Sequence, residues 1–302
     1  MNRALTWADV ERITGGRPGR TITSTCPVCS HRRKRHNQTK KVFAVKLVEP
    51  DFAIFHCAHC GEGGYVHPER SGQVVDLAER QRQREEAQRR EREYNERRTA
   101  SALKLWGERQ PFWGSPAETY LRKTRCIGDW LEAFDLEESL GYHQACPFEE
   151  GNRAPCMVAL VRGVQSDKPQ AIHRTALRLG PTPERIGRLS FGPISGGAIK
   201  LSLDGDVTHG LLIGEGIETV LSASLILKFR PCWSVISRSG IAKFPILTGV
   251  EAITIAVDTD DSGDGERDAS ALVERLTAAG VEASTAYSSF GKDFNDALRG
   301  SR

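Results

Sequence analysis

The sequence predicts an α/β protein: a mainly parallel sheet with helices on both faces, preceded by a small β-rich cysteine module and a long charged helix. Three observations carry this expectation. Two C-x-x-C pairs, Cys26 with Cys29 and Cys57 with Cys60, frame a strand-rich segment. Residues 79–98 are almost wholly charged or Gln and separate two stretches of ordinary globular sequence. From Ala154 onward, short apolar runs alternate with helical patterns, as in a sheet whose crossovers are helices.

The length, 302 residues, allows two or three domains, and 39% hydrophobic residues suffice for real cores. No apolar run is long enough to span a bilayer. The first 20 residues carry Asp9 and Glu11 and no apolar core of a secretory signal. The expectation is a soluble, cytoplasmic protein without membrane partners. In a reducing compartment paired cysteines point to a metal rather than to disulfides. The other four, Cys126, Cys146, Cys156 and Cys232, are scattered. A net charge of +3 says little, but its distribution says more. Arg32, Arg33, Lys34, Arg35, Lys40 and Lys41 lie together, and Asp258, Asp260, Asp261 and Asp264 lie together. A basic module with an acidic pocket suits a protein that holds nucleic acid and handles metal-bound phosphates. Charge runs are also ordinary solvated surface, so this asymmetry decides nothing alone.

Residues 1–68 form the first expected domain. Residues 42–48 and 52–55 alternate in a β-like way and connect the two knuckles. A C-x-x-C turn places two thiolates on one side of a metal at about 2.3 Å, so two such turns close a tetrahedral site with no open position. Cys26, Cys29, Cys57 and Cys60 are therefore expected to hold one structural zinc ion. His31, His36, His56 and His59 lie nearby, and one of them is an alternative ligand. The basic run after the first knuckle, Arg32, Arg33 and Arg35, is placed to meet nucleic-acid phosphates.

Residues 69–110 are expected as a helical linker, with one long helix over residues 74–105. Arg and Glu recur at spacings that allow i,i+4 pairs. A solvated spacer is preferred to a DNA-binding helix because acids interleave throughout. Pro111, Gly114 and Pro116 break the chain, and Ser115 caps a new helix over residues 116–122. An α+β region is expected over residues 111–205, with strands at 156–164 and 170–177.

Residues 206–302 carry the alternation: strands at 211–213, 232–237, Ala252–Val257 and 281–287, helices at 219–228 and 267–279. Active sites of such sheets lie at the carboxyl ends of the strands. Acids occur there. Glu215 follows the first strand in Gly214-Glu215-Gly216, with Glu218 three residues on as a helix N-terminal carboxylate. Asp258 and Asp260 follow the strand at 252–257, and D-x-D spacing puts them on one side. Lys292-Asp293-Phe294-Asn295 follows the last strand. Carboxylates so gathered repel unless a cation neutralises them, and oxygen-only ligands favour Mg²⁺ or Mn²⁺.

These three loops, in this order, resemble the Toprim (topoisomerase-primase) family. Together with Ala117–Arg122, Ala171–Thr175, Phe191–Ala198 and Gly214–Leu221, they resemble phage- and plasmid-type DNA primases that carry a zinc module before a Toprim domain. The resemblance covers most of the chain except the charged helix. It implies that Glu215 is the general acid/base or metal-organising residue, that Asp258 and Asp260 bind Mg²⁺, and that Asp293 supports a second metal. Asn295 departs from the aspartate common in bacterial replicative primases. His173, Arg174, Lys200 and Lys292 are implied in nucleotide or DNA binding, Arg174 first through bidentate phosphate contacts. Arg178, Arg185 and Arg188 would extend a basic track. The implied activity is synthesis of short RNA primers from NTPs on single-stranded DNA, with a replicative helicase acting in trans. Ending at Arg302, the chain is expected to carry no fused helicase. A Toprim nuclease and a non-catalytic DNA-binding protein of replication or repair are the competing readings. A topoisomerase ranks below them, because neither Tyr94 nor Tyr120 sits in a strand-passage domain.

Overall fold

The computed structural model describes residues 5–68, 77–149, 151–259 and 263–300. The chain divides into two compact units, Met1–Tyr94 and Asn95–Arg302.

In the first unit, Thr6 caps α1 (Trp7–Thr14) by accepting from the Asp9 amide, and the Asp9 carboxylate accepts in return from Thr6. Strands β1 (Thr21–Ser24), β2 (Phe43–Glu49), β3 (Phe52–Cys57) and β4 (Gly63–Val66) form an antiparallel sheet in that order. Period-2 alternation turns Phe43, Val45, Leu47 and Ala53 inward, against Val10 of α1 and the cysteines. The strands expected at 42–48 and 52–55 are present as β2 and β3.

Helix α2 (Leu77–Gly107) runs from the first unit into the second. Its earlier turns carry the exposed i,i+4 pairs Arg90 with Glu86 and Arg89 with Glu93. Its last turns are core. Ala102 is buried, Leu103, Leu105 and Trp106 pack near Leu160 and Ile172, and the Thr99 hydroxyl donates to the Gln170 carbonyl at 2.9 Å. The solvated spacer expected from composition thus ends where polar residues give way to Ala102-Leu103 and Leu105-Trp106.

In the second unit Ser115 caps the short α3 (Pro116–Thr119), accepting from the Ala117 and Glu118 amides, and a wider helical turn continues through Tyr120–Thr124. Then follow β5 (Leu140–Pro147), β6 (Arg153–Gly163), β7 (Pro169–Arg178), β8 (Glu184–Phe191) and β9 (Gly197–Lys200). The remaining elements are β10 (Gly210–Gly214), α4 (Ile217–Leu227), β11 (Cys232–Ser234), α5 (Arg238–Ala242), β12 (Ala252–Val257), α6 (Asp264–Ala278), β13 (Glu282–Tyr287) and α7 (Phe294–Gly300).

Among the described residues these strands make one sheet in the order β13-β12-β10-β11-β9-β6-β7-β8, with β5 also paired to β6. The β13-β12-β10-β11 part is parallel, and the rest is antiparallel. Both faces of the parallel part are covered, as the apolar runs require. Leu212 and Ala256 face a core with Ile217, Val220 and Leu221 of α4. Leu211, Ile213, Ile253 and Ile255 face the opposite core with Leu272 and Leu276 of α6. Among the described residues no helix is long and apolar enough to cross a membrane.

Candidate active site and metal centre

The first unit holds a four-sulfur cluster. The donor atoms of Cys26, Cys29, Cys57 and Cys60 all lie within 4.8 Å of one another. Register brings the knuckles together: Phe43, at the start of β2, stands opposite Cys57 at the end of β3. A tetrahedron with 2.3 Å metal–sulfur arms has sulfur–sulfur edges of about 3.8 Å. The Cys29 and Cys57 sulfurs are 3.8 Å apart. The donor set therefore fits zinc.

The acidic loops of the second unit lie at the carboxyl ends of β10, β12 and β13, three adjacent parallel strands. Glu215 follows Gly214, where an added Cβ would meet Val220 at 2.8 Å and the Ala256 carbonyl at 3.1 Å. The Glu215 carbonyl accepts from the Ile236 amide at 2.9 Å and the Ser234 hydroxyl at 2.7 Å, which fixes the turn against β11. Asp258 ends β12. The next residue, Thr259, donates its amide and hydroxyl to the Lys292 carbonyl, at 2.8 and 3.0 Å, and so brings Asp293 alongside. The Asp293 carboxylate accepts from the Asp296 amide at 2.8 Å as α7 begins.

Asp258 bears the cost of this gathering. Burial first, then the charges of Asp293 and Glu215, push its carboxyl up to about 7, against the partial relief of Thr219 and Arg188. Its Oδ1 is buried and has no hydrogen-bond partner. A hard divalent cation would answer both features, and carboxylate oxygens are the donors that suit Mg²⁺ or Mn²⁺. Asp260 and Asp261 lie outside the described residues.

A second, basic network adjoins these acids. Glu218, on the first turn of α4, is buried at 5% exposure. Burial alone would raise its carboxyl; the Tyr120 hydroxyl, Arg125 and Arg188 outweigh burial and hold it below the usual range. Tyr120 donates to Glu218 at 2.7 Å, and Arg125 donates to the Tyr120 oxygen at 2.7 Å. Arg185 and Arg188 of β8 approach Glu218 at 3.5 and 3.9 Å and are about a third or more exposed. The space beside Gly216 is bordered by Arg188, 3.6 Å from where a Cβ would stand. Arg188 is thus shared between Glu218 and the Asp258 pocket. Glu218 does more than complement a helix end: it anchors arginines.

The structure sorts the other expected residues by accessibility. His173 is half-buried on the face of β7 toward Glu218. Its Nδ1 is 2.9 Å from the Ser190 hydroxyl, and burial holds its pKa down to about 4. Arg174 points to the opposite face, as strand alternation demands. It is buried, donates to the Pro147 and Ser190 carbonyls, and lies over the Phe148 and Phe191 rings. Arg174 is thus withdrawn from solvent, and Arg185 and Arg188 are the exposed cations beside the acids. Lys200 is withdrawn from solvent as well. It sits on an interior strand at 2% exposure, with its Nζ 3.0 Å from Asp167 and 2.6 Å from Asp204. In the cysteine module Arg32 and Arg35 are exposed, but Arg33 turns inward and donates to the Cys29 sulfur at 2.8 Å. Lys292 is exposed. Asp264 is drawn off to Arg238 at 2.7 Å. Asn295 is buried: its amide donates to the Arg125 carbonyl at 2.7 Å and to Ser222 at 2.9 Å, and its oxygen accepts from Arg125 at 3.1 Å. An amide, which both donates and accepts, suits that position where a carboxylate would not. Arg125 escaped sequence reasoning because Glu218 and Asn295, which it meets, lie far along the chain.

Residues 210–301 match the Toprim domain model, and residues 96–201 match a domain of unknown function, DUF7146. No curated protein matches the sequence. Similar solved structures include the primase fragment of the bacteriophage T7 primase-helicase protein, with 14% identity and a TM-score of 0.38 over 54% of this chain. The chain spans 62% of that fragment. Another is the bacteriophage T7 lagging-strand DNA polymerase interacting with primase domains bound to an RNA/DNA hybrid and dTTP, with 13% identity and a TM-score of 0.35, covering 55% of this chain and 79% of that one. The C-terminal part of this chain, whose acids gather at the ends of β10, β12 and β13, is a Toprim domain.

Proposed function

We propose that the protein is a DNA primase that makes short RNA primers on single-stranded DNA. The observation that carries this reading is the buried, unpartnered oxygen of Asp258, crowded by Glu215 and Asp293 and faced by Arg188. Glu215, Asp258 and Asp293, with Asp260, would hold Mg²⁺ or Mn²⁺. When bound, the cation neutralises phosphate charge and helps ionise the attacking 3′-hydroxyl. Arg185 and Arg188 bind the triphosphate of the incoming NTP, and Glu215 receives or organises the proton of the hydroxyl. Residues 1–68, held by zinc, carry the template against Arg32 and Arg35, and Lys292 meets DNA or nucleotide at the rim. Residues 69–110 carry the linking helix, whose last turns pack into the catalytic body of residues 111–205 and 206–302. A replicative helicase in trans supplies the single strand, in the cytoplasm.

The test is a priming assay. The chain, mixed-sequence single-stranded DNA, Mg²⁺ and labelled NTPs are run beside Asp258→Ala. Short products that vanish in the variant are expected. A metal-loaded chain that makes no primer but cuts DNA without NTPs would replace this reading with a Toprim nuclease, since the same carboxylates can activate water.

A further inference from the structure

The four sulfurs of the first unit are not equivalent. Cys26 and Cys57 are fully buried and Cys29 is 9% exposed, whereas Cys60 is exposed. Arg33, itself 8% exposed, donates from Nη2 to the Cys29 sulfur at 2.8 Å and lies 3.9 Å from the Cys57 sulfur. Its Nη1 reaches the Lys40 carbonyl at 3.4 Å, and its Nε is buried without a hydrogen-bond partner. The His59 ring adds a second nitrogen 3.7 Å from the Cys29 sulfur. A buried guanidinium is costly unless an anion compensates it. The group facing it here is a pair of sulfurs.

Four thiolates around a dication carry a net charge of −2, and one guanidinium halves it. A thiolate that accepts a charge-assisted hydrogen bond shares its lone pair with the donor and is a weaker nucleophile. We propose that Arg33 balances the charge of the four-sulfur centre and shields Cys29 and Cys57, leaving Cys60 as the sulfur at which an electrophile opens it. With a haloacetamide the step is a simple displacement. The Cys60 sulfur forms a bond to the methylene carbon, the carbon–iodine bond breaks, and iodide leaves with the electron pair. The resulting thioether is neutral and no longer holds its share of the dication. The inference rests on the zinc reading of the cysteine cluster.

The experiment uses the full chain loaded with zinc or with Co²⁺. Iodoacetamide is added, zinc release is followed with a chelating dye, and peptide mass spectrometry reads the order of alkylation; mapping separates Cys126, Cys146, Cys156 and Cys232. Cys60 is expected to be modified first, in step with zinc release. Arg33→Gln should speed release about tenfold, the equivalent of losing one charge-assisted hydrogen bond, and spread alkylation to Cys29 and Cys57. In the Co²⁺ form the same variant should move the sulfur-to-metal charge-transfer band to lower energy, because a bare thiolate is a better donor. Arg33→Lys, which restores the charge, should recover most of the protection. Modification of Cys29 or Cys57 before Cys60 in the parent overturns the inference, as does a folded Arg33→Gln with unchanged rate and band. Should that variant fail to hold metal, the alkylation order of the parent and the rate of Arg33→Lys decide. A parent that takes up no zinc overturns the zinc reading itself, and the inference with it.

Discussion

Replacing Asp258 by Asn removes one charge from a crowded pocket and leaves its shape. The carboxyl of Asp258 is raised from 3.8 to about 7, by burial first and by Asp293 and Glu215 next. The folded state therefore holds a proton that the unfolded chain releases. The sign follows: stability falls as pH rises from about 4 to about 7, and above that the full cost of the buried charge is present. At about 1.36 kcal/mol per unit, the displacement is worth about 4 kcal/mol. Asn cannot ionise, so at pH 8 without divalent metal Asp258→Asn should be more stable than the parent by up to that amount. For a unit of this size, about 4 kcal/mol corresponds to roughly 10 °C in Tm. Near pH 4 the two chains should melt alike. Mn²⁺ or Mg²⁺ should raise the Tm of the parent at pH 8 and leave that of the variant unmoved, since the cation replaces what the substitution removed. Thermal melts by circular dichroism from pH 4 to pH 8, with and without metal, read all of this. A metal-free variant that melts at or below the parent at pH 8 would refute the reasoning.

Glu218 behaves in the opposite sense. Its carboxyl is held low among Tyr120, Arg125 and Arg188, so its contribution is present at neutral pH and is lost as acid titrates it through its folded pKa. Glu218→Gln should destabilise by about 2–3 kcal/mol, because it removes the buried carboxylate that Tyr120 and the half-exposed arginines face, whereas Tyr120→Phe should cost about 1–2 kcal/mol; urea unfolding at pH 7 compares them. The double variant Arg185→Gln with Arg188→Gln should lower Tm only modestly, since Tyr120 and Arg125 still face Glu218, but bind Mn²⁺-tripolyphosphate at least about tenfold more weakly by calorimetry. Arg174→Gln should instead lower Tm without such selectivity, since that side chain is buried. Cys57→Ser should abolish tight zinc binding and unfold the cysteine module, seen as loss of its protection from proteolysis.

Much of this was legible in the chain itself. Apolar alternation located β2, β3 and the parallel strands, because burial on one or both faces writes a period that survives any tertiary detail. The C-x-x-C pairs announced a four-sulfur site for a similar reason: ligand spacing within a turn is local. Glu215, Asp258 and Asp293 were readable because each directly follows a strand or its loop. The burial of Arg174, Lys200 and Arg33 was not legible, because residue type reports charge but not burial. Arg174 and His173 are neighbours in sequence, yet they serve opposite faces of β7.

The sequence by itself determined the classes of element, the four-cysteine cluster and the strand ends at which the acids stand, since these depend on periodicity and short-range spacing. Only the tertiary structure decided which cations meet the acids. Arg125, Arg185 and Arg188 converge on Glu218 from segments far apart in the chain, and Asn295 closes on Arg125 across 170 residues. Such pairings are set by how the sheet and α4 pack, and packing is a property of the whole fold rather than of any window of sequence.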